Sequence, residues 1–416
     1  MDILNNILLF PFFGLLITIA VFPLINPHLW EKNITKAIVS AIFGVPVLIY
    51  LIAKSPGKVL HVGEEFISFI SLVTSLFIVS GGIFIYIRKK PTPLLNTAIL
   101  FLGSILANFV GTTGASMILV RPFLRLNRWR KNTFHIPVFF IFTVSNIGGG
   151  LTPIGDPPLF MGFLKGVPFF WSLKLFPIWL FEISVVLLIF FIWDSITLRN
   201  EKYPEALAKE EEKILIYGKR NFIYLALILL AVILLHFPFR EIVQWTAAIL
   251  SLKTTPKRIR EDNEFTFHPA EEVAIVFAGI FATMTPVLDY LKDNADKFGI
   301  SEPWQFFFLT GALSAFLDNA PTYLTFFSLA QGLSEKSGLI PQVAGVWEPF
   351  LKAISCGAVF FGANTYIGNA PNFMVKSISE EMRIKAPNFI AYLLYSFLIL
   401  LPSFFAVAFI FFGFGR

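Results

Sequence analysis

The chain alternates between apolar blocks of about 20 residues and short charged segments. A block of that length matches the hydrocarbon core of a bilayer when it folds as an α-helix. The pattern therefore predicts an all-α polytopic membrane protein. The blocks lie at about 7–23, 36–53, 66–87, 94–121, 134–164, 172–193, 221–237, 241–252, 271–289, 303–331, 346–378 and 388–414.

The composition supports this fold class and argues against nucleic-acid binding and cysteine-based metal sites. Of the 416 residues, 56% are hydrophobic and 14% are charged, against about 25% charged in a soluble domain. The net charge of +6 comes from basic residues beside apolar blocks, as the positive-inside bias predicts, so we expect no nucleic-acid partner. The single cysteine, Cys356, excludes internal disulfides and multi-cysteine metal sites. We expect no cofactor, and Na⁺ and H⁺ only as transported or coupling ions.

The basic residues set the expected topology. Four basic clusters, at 88–90, 125–131, 199–220 and 253–260, are predicted to be cytoplasmic. Two clusters on one side need an even number of crossings between them, but block 94–121 is too short for two full helices. We therefore expect a re-entrant hairpin there, with its tip in the sequence Gly-Thr-Thr-Gly at 111–114. Block 134–164 contains three successive glycines at 148–150 and prolines at 153, 157 and 158, which predicts a broken helix.

The second half repeats this order from the opposite side of the membrane. It has a hairpin at 303–331 with its tip at 318–321, a broken helix at 346–378 and a final helix. Each half then holds three helices, a hairpin, a broken helix and a final helix, which gives about ten transmembrane helices and two hairpins. The predicted division is a first repeat at 1–198, a cytoplasmic linker at 199–220 and a second, inverted repeat at 221–416. Both termini are predicted to lie outside.

The two halves also share sequence at their helix breaks. Residues 153–161 align with 366–374 at an offset of 213 with five of nine positions identical, and the hairpin tips align at an offset of 207. Paired breaks in repeats of opposite orientation are typical of alternating-access transporters. The alternative is that glycine and proline only kink packed helices. The residues that predict the breaks are Gly148, Gly149, Gly150, Pro153, Gly155, Pro158, Pro321, Gly368 and Pro371.

Two acidic residues, Asp156 and Asp318, lie at these breaks and are candidates for ion binding and proton coupling. An ionisable group inside a membrane is a functional candidate because its burial is costly. A carboxylate among neutral oxygens suits a hard cation such as Na⁺, and a proton competes for the same group. The neutral ion- or substrate-binding candidates are Thr112, Thr113, Ser145, Asn146, Thr152, Asn319, Asn364, Thr365, Asn369 and Asn372.

Two further charged residues are candidates beside this set. Glu182, in the middle of block 172–193, is a second candidate for proton coupling, with a helix-packing or snorkelling role as the alternative. Arg121, past the first hairpin tip, is a candidate to balance Asp156 or to bind an anionic substrate, with an interfacial cytoplasmic anchor as the alternative. The linker, which includes the acidic run 210–212, is expected to form a solvated helix or loop.

The motifs at 145–158 and 317–322 resemble those of the ion transporter superfamily. That group includes NhaD-type sodium/proton antiporters, arsenite efflux permeases, citrate transporters and dicarboxylate/sodium symporters. The segment 272–286 looks like the subgroup of sodium:proton antiporters or putative citrate transporters. The resemblance implies two inverted repeats, a substrate site between the hairpin tips and broken helices, and a homodimer.

These observations favour sodium/proton exchange and leave a second substrate open. Two acidic residues would repel a di- or tricarboxylate unless bound cations cancelled their charge, whereas Arg121 favours the alternative, ion-coupled transport of citrate or another organic anion. An enzyme is not expected, because the chain has no His-Glu-x-x-His motif and no second cysteine. We expect a multi-pass protein of the cell membrane whose partners are the lipid bilayer and a small inorganic cation or organic anion.

Overall fold

The computed structural model describes residues 2–199, 201–205 and 211–415, which are mostly helical. The α-helices are α1 (Asp2–Ile25), α2 (Pro27–Trp30), α3 (Asn33–Lys54), α4 (Pro56–Ser80), α5 (Pro93–Asn127), α6 (His135–Thr143), α7 (Pro157–Leu164), α8 (Phe176–Arg199), α9 (Asn221–Leu234), α10 (Phe239–Thr254), α11 (Lys257–Asp262), α12 (His268–Asp293), α13 (Pro303–Ser314), α14 (Asn319–Ser337), α15 (Glu348–Phe361), α16 (Ala370–Glu381) and α17 (Phe389–Phe411). The strands are β1 (Phe84–Arg88), β2 (Lys213–Tyr217), β3 (Gln342–Val343) and β4 (Val346–Trp347).

The helices have the length and composition of membrane spans. In the described part of the chain, six helical segments are long and apolar enough to cross a bilayer, and three shorter apolar helices accompany them. The six are Asn33–Lys54, Pro56–Ser80, Pro93–Asn127, Phe169–Arg199, His268–Asp293 and Phe389–Phe411. The predicted all-α polytopic membrane fold is confirmed.

The chain reverses direction at the first predicted hairpin tip. Gly111 interrupts α5 with φ 78° and ψ 155°, a conformation that is essentially restricted to glycine. The side-chain amides of Asn96 and Asn127 bond each other at 3.0 and 3.1 Å. In one straight helix these residues would lie about 46 Å apart, at 1.5 Å per residue. The two arms of α5 therefore run back along each other.

A second reversal lies between α13 and α14. The centroids of the Phe306 and Phe326 rings are 6.5 Å apart, whereas 20 residues of straight helix would separate them by about 30 Å. The turn occupies the four residues between Ser314 and Asn319. Pro321 is the third residue of α14, where a proline costs no intrahelical hydrogen bond.

Both predicted broken helices are interrupted at their middle. The first consists of α6 and α7, which are separated by 13 residues that include the short 3₁₀ turn Ile147–Gly149. The second consists of α15 and α16, separated by a 3₁₀ turn at Gly362–Asn364 and five further residues. Pro158 and Pro371 are each the second residue of the helix after the break, so they help to start these helices.

The structure corrects two predictions near the basic clusters. Block 66–87 is not one helix, because α4 ends at Ser80 and the chain then forms β1. The linker 199–220 is not only helix or loop, because β2 within it pairs antiparallel with β1. Asn263 stabilises the start of β1 by donating its side-chain amide to the carbonyls of Gly81 and Ile83. Residues 200 and 206–210 of the linker, and so part of its acidic run, lie outside the described residues.

Charged side chains divide between two faces of the molecule. Three basic clusters and the linker meet on one face. Arg88 is paired with Lys213 across the strands, and Arg258 lines a cavity with these two residues. The guanidinium of Arg125 lies 5.8 Å from the Tyr86 ring centroid. Every ion pair seen among the described residues joins two positions that the predicted topology places on the same side. Pairs on the second face include Lys58–Asp289, Lys165–Glu65 and Lys174–Glu348.

Candidate functional site

The carboxylate of Asp156 lies where both hairpins and both broken helices meet. The residue directly precedes α7 and is 1% exposed. Its Oδ1 accepts a hydrogen bond from Thr112 Oγ1 of the first hairpin at 2.8 Å and from Asn369 Nδ2 of the second break at 3.1 Å. Its Oδ2 accepts from Asn319 Nδ2 of the second hairpin at 2.7 Å. One carboxylate therefore joins all four interrupted elements.

The two breaks have the same local structure at the positions that the sequence alignment pairs. Asp156 and Asn369 are both extended residues before a helix, with φ/ψ of −144°/143° and −153°/141°. Thr152 donates its hydroxyl to the carbonyl of Asn108, and Thr365 donates to the carbonyl of Ala315. The threonines differ by the offset of 213 and the carbonyls by the offset of 207. Each break is thus bound to its own hairpin by the equivalent hydrogen bond.

Side-chain amides connect the two breaks to each other. Asn369 Nδ2 contacts the carbonyl of Ser145 at 3.1 Å and Asn146 Oδ1 at 3.2 Å. Asn146 in turn donates to Asn372 Oδ1 at 2.7 Å, and Asn372 donates to the backbone carbonyls of Gly362 and Thr365, both at 2.8 Å. Backbone exposed by unwinding needs such partners at membrane depth, because lipid offers none.

Two buried oxygens near this network have no hydrogen-bond partner. They are Oδ1 of Asn319 and Oδ1 of Asn364, whose residues are 0% and 1% exposed. An amide oxygen can only accept, so each is free to receive a proton donor or a cation. Thr113, for which no side-chain hydrogen bond is described, lines a cavity of about 40 Å³ at the first hairpin tip, beside Gly111 and Gly155. That volume is close to the share of one water molecule.

Asp318 lies at the tip of the second hairpin, as predicted, but none of its described hydrogen bonds reaches Asp156. Its Oδ1 accepts a hydrogen bond from the backbone amide of Ala320 at 3.1 Å, so it caps the N-terminus of α14. From this hairpin tip it is the next residue, Asn319, that donates a hydrogen bond to the carboxylate of Asp156. An aspartate followed by a helical segment is a recognised N-cap signal, and the sequence contained it.

Comparison with known proteins shows the family to which the chain belongs. A family model described as putative citrate transport matches residues 2–412. The chain belongs to this family. No match was found among curated proteins. The family and the membrane spans together indicate a multi-pass membrane protein of a transport family.

In this member of the putative citrate transport family, Arg121 does not balance Asp156. It lies nine residues after Thr112, about 13 Å along the helix, too far for its guanidinium to bond Asp156. Its Nη2 instead donates to Glu264 and lies 3.6 Å from Glu381. These contacts do not pair Arg121 with Asp156, and its anion-binding role stays a prediction. An anchor at the basic face describes its contacts better.

Glu264 and Glu381, outside the apolar blocks, interact with each other as well as with Arg121. Their hydrogen bond raises the pKa of Glu381, with partial burial and the charge of Glu264 adding to the effect. Partial burial acts to raise the pKa of Glu264, but the hydrogen bond with Glu381 and the Arg121 guanidinium outweigh it and lower that pKa. The two pKa values therefore shift in opposite directions, as expected for two carboxyl groups that share a hydrogen bond beside one guanidinium.

Glu182 lies apart from the Asp156 network. Its Oε1 accepts from Ser403 of α17 at 2.7 Å, and its Oε2 is buried without a partner. No hydrogen bond to the network is described for it, although Trp179, one turn earlier on α8, donates to the carbonyl of Gly148 at 3.2 Å. These contacts match the helix-packing alternative, and they do not place Glu182 with Asp156.

Proposed function

We propose that this protein is a secondary active transporter that exchanges Na⁺ for H⁺, with Asp156 as the group to which either ion binds. The observation that carries the proposal is the position of this buried carboxylate, which joins both hairpins and both breaks. Its described partners are a hydroxyl and two amides. A carboxylate surrounded by neutral oxygen-bearing groups suits a small cation.

Asn319 supports binding of a proton as well as of a metal ion. The three donors around Asp156 fit an ionised carboxylate, which only accepts hydrogen bonds. A protonated acid adds an O–H donor and needs a nearby acceptor. Rotation of the Asn319 amide by half a turn would exchange its Nδ2 for its Oδ1, which has no other partner. The same side chain therefore suits both protonation states without backbone movement.

The oxygen atoms available at the site also suit Na⁺. Asn319 Oδ1 and Asn364 Oδ1 are buried acceptors without partners, and the unwound breaks add backbone carbonyls. Asp156 is 1% exposed, and the cavity of about 40 Å³ beside the first hairpin tip does not reach its carboxylate. We therefore regard this arrangement as a closed state.

Alternating access is proposed to follow from two inverted repeats, at 1–198 and 221–416. Two observations support this division. The equivalent hydrogen bonds of Thr152 and Thr365 occur at the sequence offsets of the repeat. The described ion pairs join residues that the predicted topology places on the same side of the membrane. Two similar halves of opposite orientation can expose a shared site to either side in turn.

A second candidate function is cation-coupled uptake of citrate or a related organic anion. The family description favours it. In this case a cation at Asp156 would neutralise the site before the anion binds, because no basic side chain is described in hydrogen-bond contact with the Asp156 carboxylate. The site would also have to open beyond the small cavity seen here.

Transport in proteoliposomes separates the two candidates. An imposed Na⁺ gradient should move protons, as followed with an internal pH dye, and Asp156→Asn should abolish the movement. Asp289→Asn, which alters an exposed ion pair with Lys58, serves as the matched control and should transport normally. Proton movement that survives in Asp156→Asn would contradict the assignment. Na⁺-dependent uptake of radiolabelled citrate without Na⁺-driven proton movement would establish the second candidate instead.

A further inference from the structure

A cavity of about 390 Å³ lies on the basic face, between the β1–β2 ribbon and helix α11. We call it the ribbon cavity. Aromatic rings of Phe84, Tyr86 and Tyr217 and charged side chains of Lys213, Arg258 and Asp262 are among the residues that line it. None of them belongs to the Asp156 site.

The ribbon gives this cavity an apolar end and a cationic end. In the antiparallel register Phe84 is opposite Tyr217, and Arg88 is opposite Lys213. Alternate residues of a strand share one face, so both pairs face the cavity. The Phe84 and Tyr217 ring centroids are 6.2 Å apart. Four residues of strand place the cationic pair about 13 Å from the aromatic pair.

The aromatic end is the one nearer to the membrane helices. Phe84 comes four residues after the end of the membrane span α4, and Tyr217 comes four residues before the start of the apolar helix α9. The cationic pair is farther along both strands. A phospholipid has the same order, with its acyl chains toward the membrane interior and its phosphate toward water. On the opposite face of the ribbon, Ile214 and Ile216 are 50% and 38% exposed, as expected beside lipid.

The charge of the cavity favours an anion. Arg258 is 88% exposed, and its nitrogen lies 4.0 Å from Asp262, at the limit of an ion pair. Among the described residues that line the cavity, the basic side chains of Lys213 and Arg258 outnumber the acidic side chain of Asp262 even with Arg88 left aside. Basic pockets at the surface of membrane helices attract anionic headgroups.

We propose that the ribbon cavity binds the headgroup of an anionic phospholipid. Its phosphate lies between Lys213 and Arg258, and its glycerol and first acyl carbons lie against Phe84 and Tyr217. The guanidinium of Arg125, on the outgoing arm of the first hairpin, lies 5.8 Å from the Phe84 ring centroid. A lipid bound here therefore contacts a ring that packs against the hairpin. The proposal does not depend on which ion or substrate is transported.

Lipid binding to the purified, delipidated full-length protein tests this proposal. Native mass spectrometry should show tighter binding of phosphatidylglycerol than of phosphatidylethanolamine. Lys213→Gln combined with Arg258→Gln should weaken phosphatidylglycerol binding about thirtyfold, because each basic side chain near a membrane surface contributes roughly fivefold. The control pair Lys219→Gln and Lys257→Gln removes the same charge from two exposed residues outside the cavity and should bind almost as the wild type does.

Three results would overturn the proposal. They are equal binding of the two lipids, equal losses in the cavity and control pairs, and binding of soluble glycerol phosphate as tight as that of the lipid, which would indicate a soluble phosphate ligand. If the double variant does not fold, Arg258→Gln alone carries the test. This side chain is 88% exposed, and its substitution should still cost about fivefold in binding.

Discussion

Replacing Asp156 by asparagine keeps the shape of the site and removes its charge. In the wild-type protein Oδ1 accepts from Thr112 and Asn369, and Oδ2 accepts from Asn319 at 2.7 Å. In the variant, the amide oxygen can keep both bonds of Oδ1, while the new amide nitrogen faces the Asn319 donor. Rotation of the Asn319 amide relieves this conflict, because it presents an oxygen that has no partner in the wild type.

The expected loss of stability is therefore small for Asp156→Asn and large for Asp156→Ala. The asparagine variant keeps three hydrogen bonds and no longer buries a charge, so its free energy of unfolding should change by less than about 1 kcal/mol. The alanine variant leaves the buried donors of Thr112 and Asn319 without an acceptor, while Asn369 keeps its contacts with Ser145 and Asn146. At about 1 to 3 kcal/mol for each donor, its loss should be at least about 2 kcal/mol.

Thermal unfolding in detergent, in matched sodium and choline chloride, measures both effects. A cation that binds only the folded protein adds about 2.7 kcal/mol at a hundred times its dissociation constant. This stabilisation by Na⁺ should occur in the wild type and be absent from Asp156→Asn. The reasoning is refuted if Na⁺ still stabilises the variant, or if Asp156→Asn is as unstable as Asp156→Ala, since the Asn319 amide would then not compensate.

Three further substitutions probe other parts of the fold. Gly111→Ala should cost about 1 to 3 kcal/mol in thermal unfolding, because its backbone lies in a region that glycine alone populates, whereas Gly57→Ala, with open space around it, should cost nothing. Asp194→Asn should cost about 3 to 5 kcal/mol in chemical denaturation. The substitution removes the carboxylate that lies 2.6 Å from the buried guanidinium of Arg130 and leaves that charge without a counter-ion. In wild-type protein, stability should fall as pH rises through the raised pKa of Glu381, where its charge begins to repel that of Glu264. Glu381→Gln should remove this fall, and an unchanged pH profile would show that the pair does not share a proton.

Hairpins and breaks were predictable because they depend on local chemistry. A glycine with a positive φ at 111, prolines at the starts of α7 and α16, and glycine-rich unwound segments all leave a direct mark on the sequence. The repeat added a second constraint, since a break in one half predicted its partner in the other. Asn369, Asn319 and Thr112 were therefore candidates before their contacts with Asp156 were known.

Long-range pairing was not predictable from the same patterns. The strand Phe84–Arg88 continues an apolar block, and its partner strand lies more than 100 residues later inside a charged linker. Neither segment alone distinguishes strand from helix or loop. The partner of Arg121 was missed for a related reason: Glu264 and Glu381 are ordinary loop and helix-end acids until the fold brings them to one guanidinium.

The energies of these contacts indicate where the molecule separates during transport. Asp156 is bonded to both hairpins and to the second break, and buried amides such as Asn146 and Asn372 join the two breaks. Breaking these buried bonds costs more than breaking partly exposed ion pairs. We therefore expect the hairpins and broken helices to move as one unit relative to α4 and the loop before α12, with separation at the partly exposed pair Arg121–Glu264 and movement of Lys165 away from Glu65 of α4.

Cross-linking distinguishes movement between these parts from movement within the unit. In a Cys356→Ser background, Glu65→Cys with Lys165→Cys should block transport when oxidised and restore it when reduced, because that bond would join the unit to α4. Asn96→Cys with Asn127→Cys joins the two arms of one hairpin, whose amides are 3.0 Å apart, and should leave transport unchanged by oxidation. Transport blocked by the second cross-link and not by the first would show that the hairpin arms themselves separate.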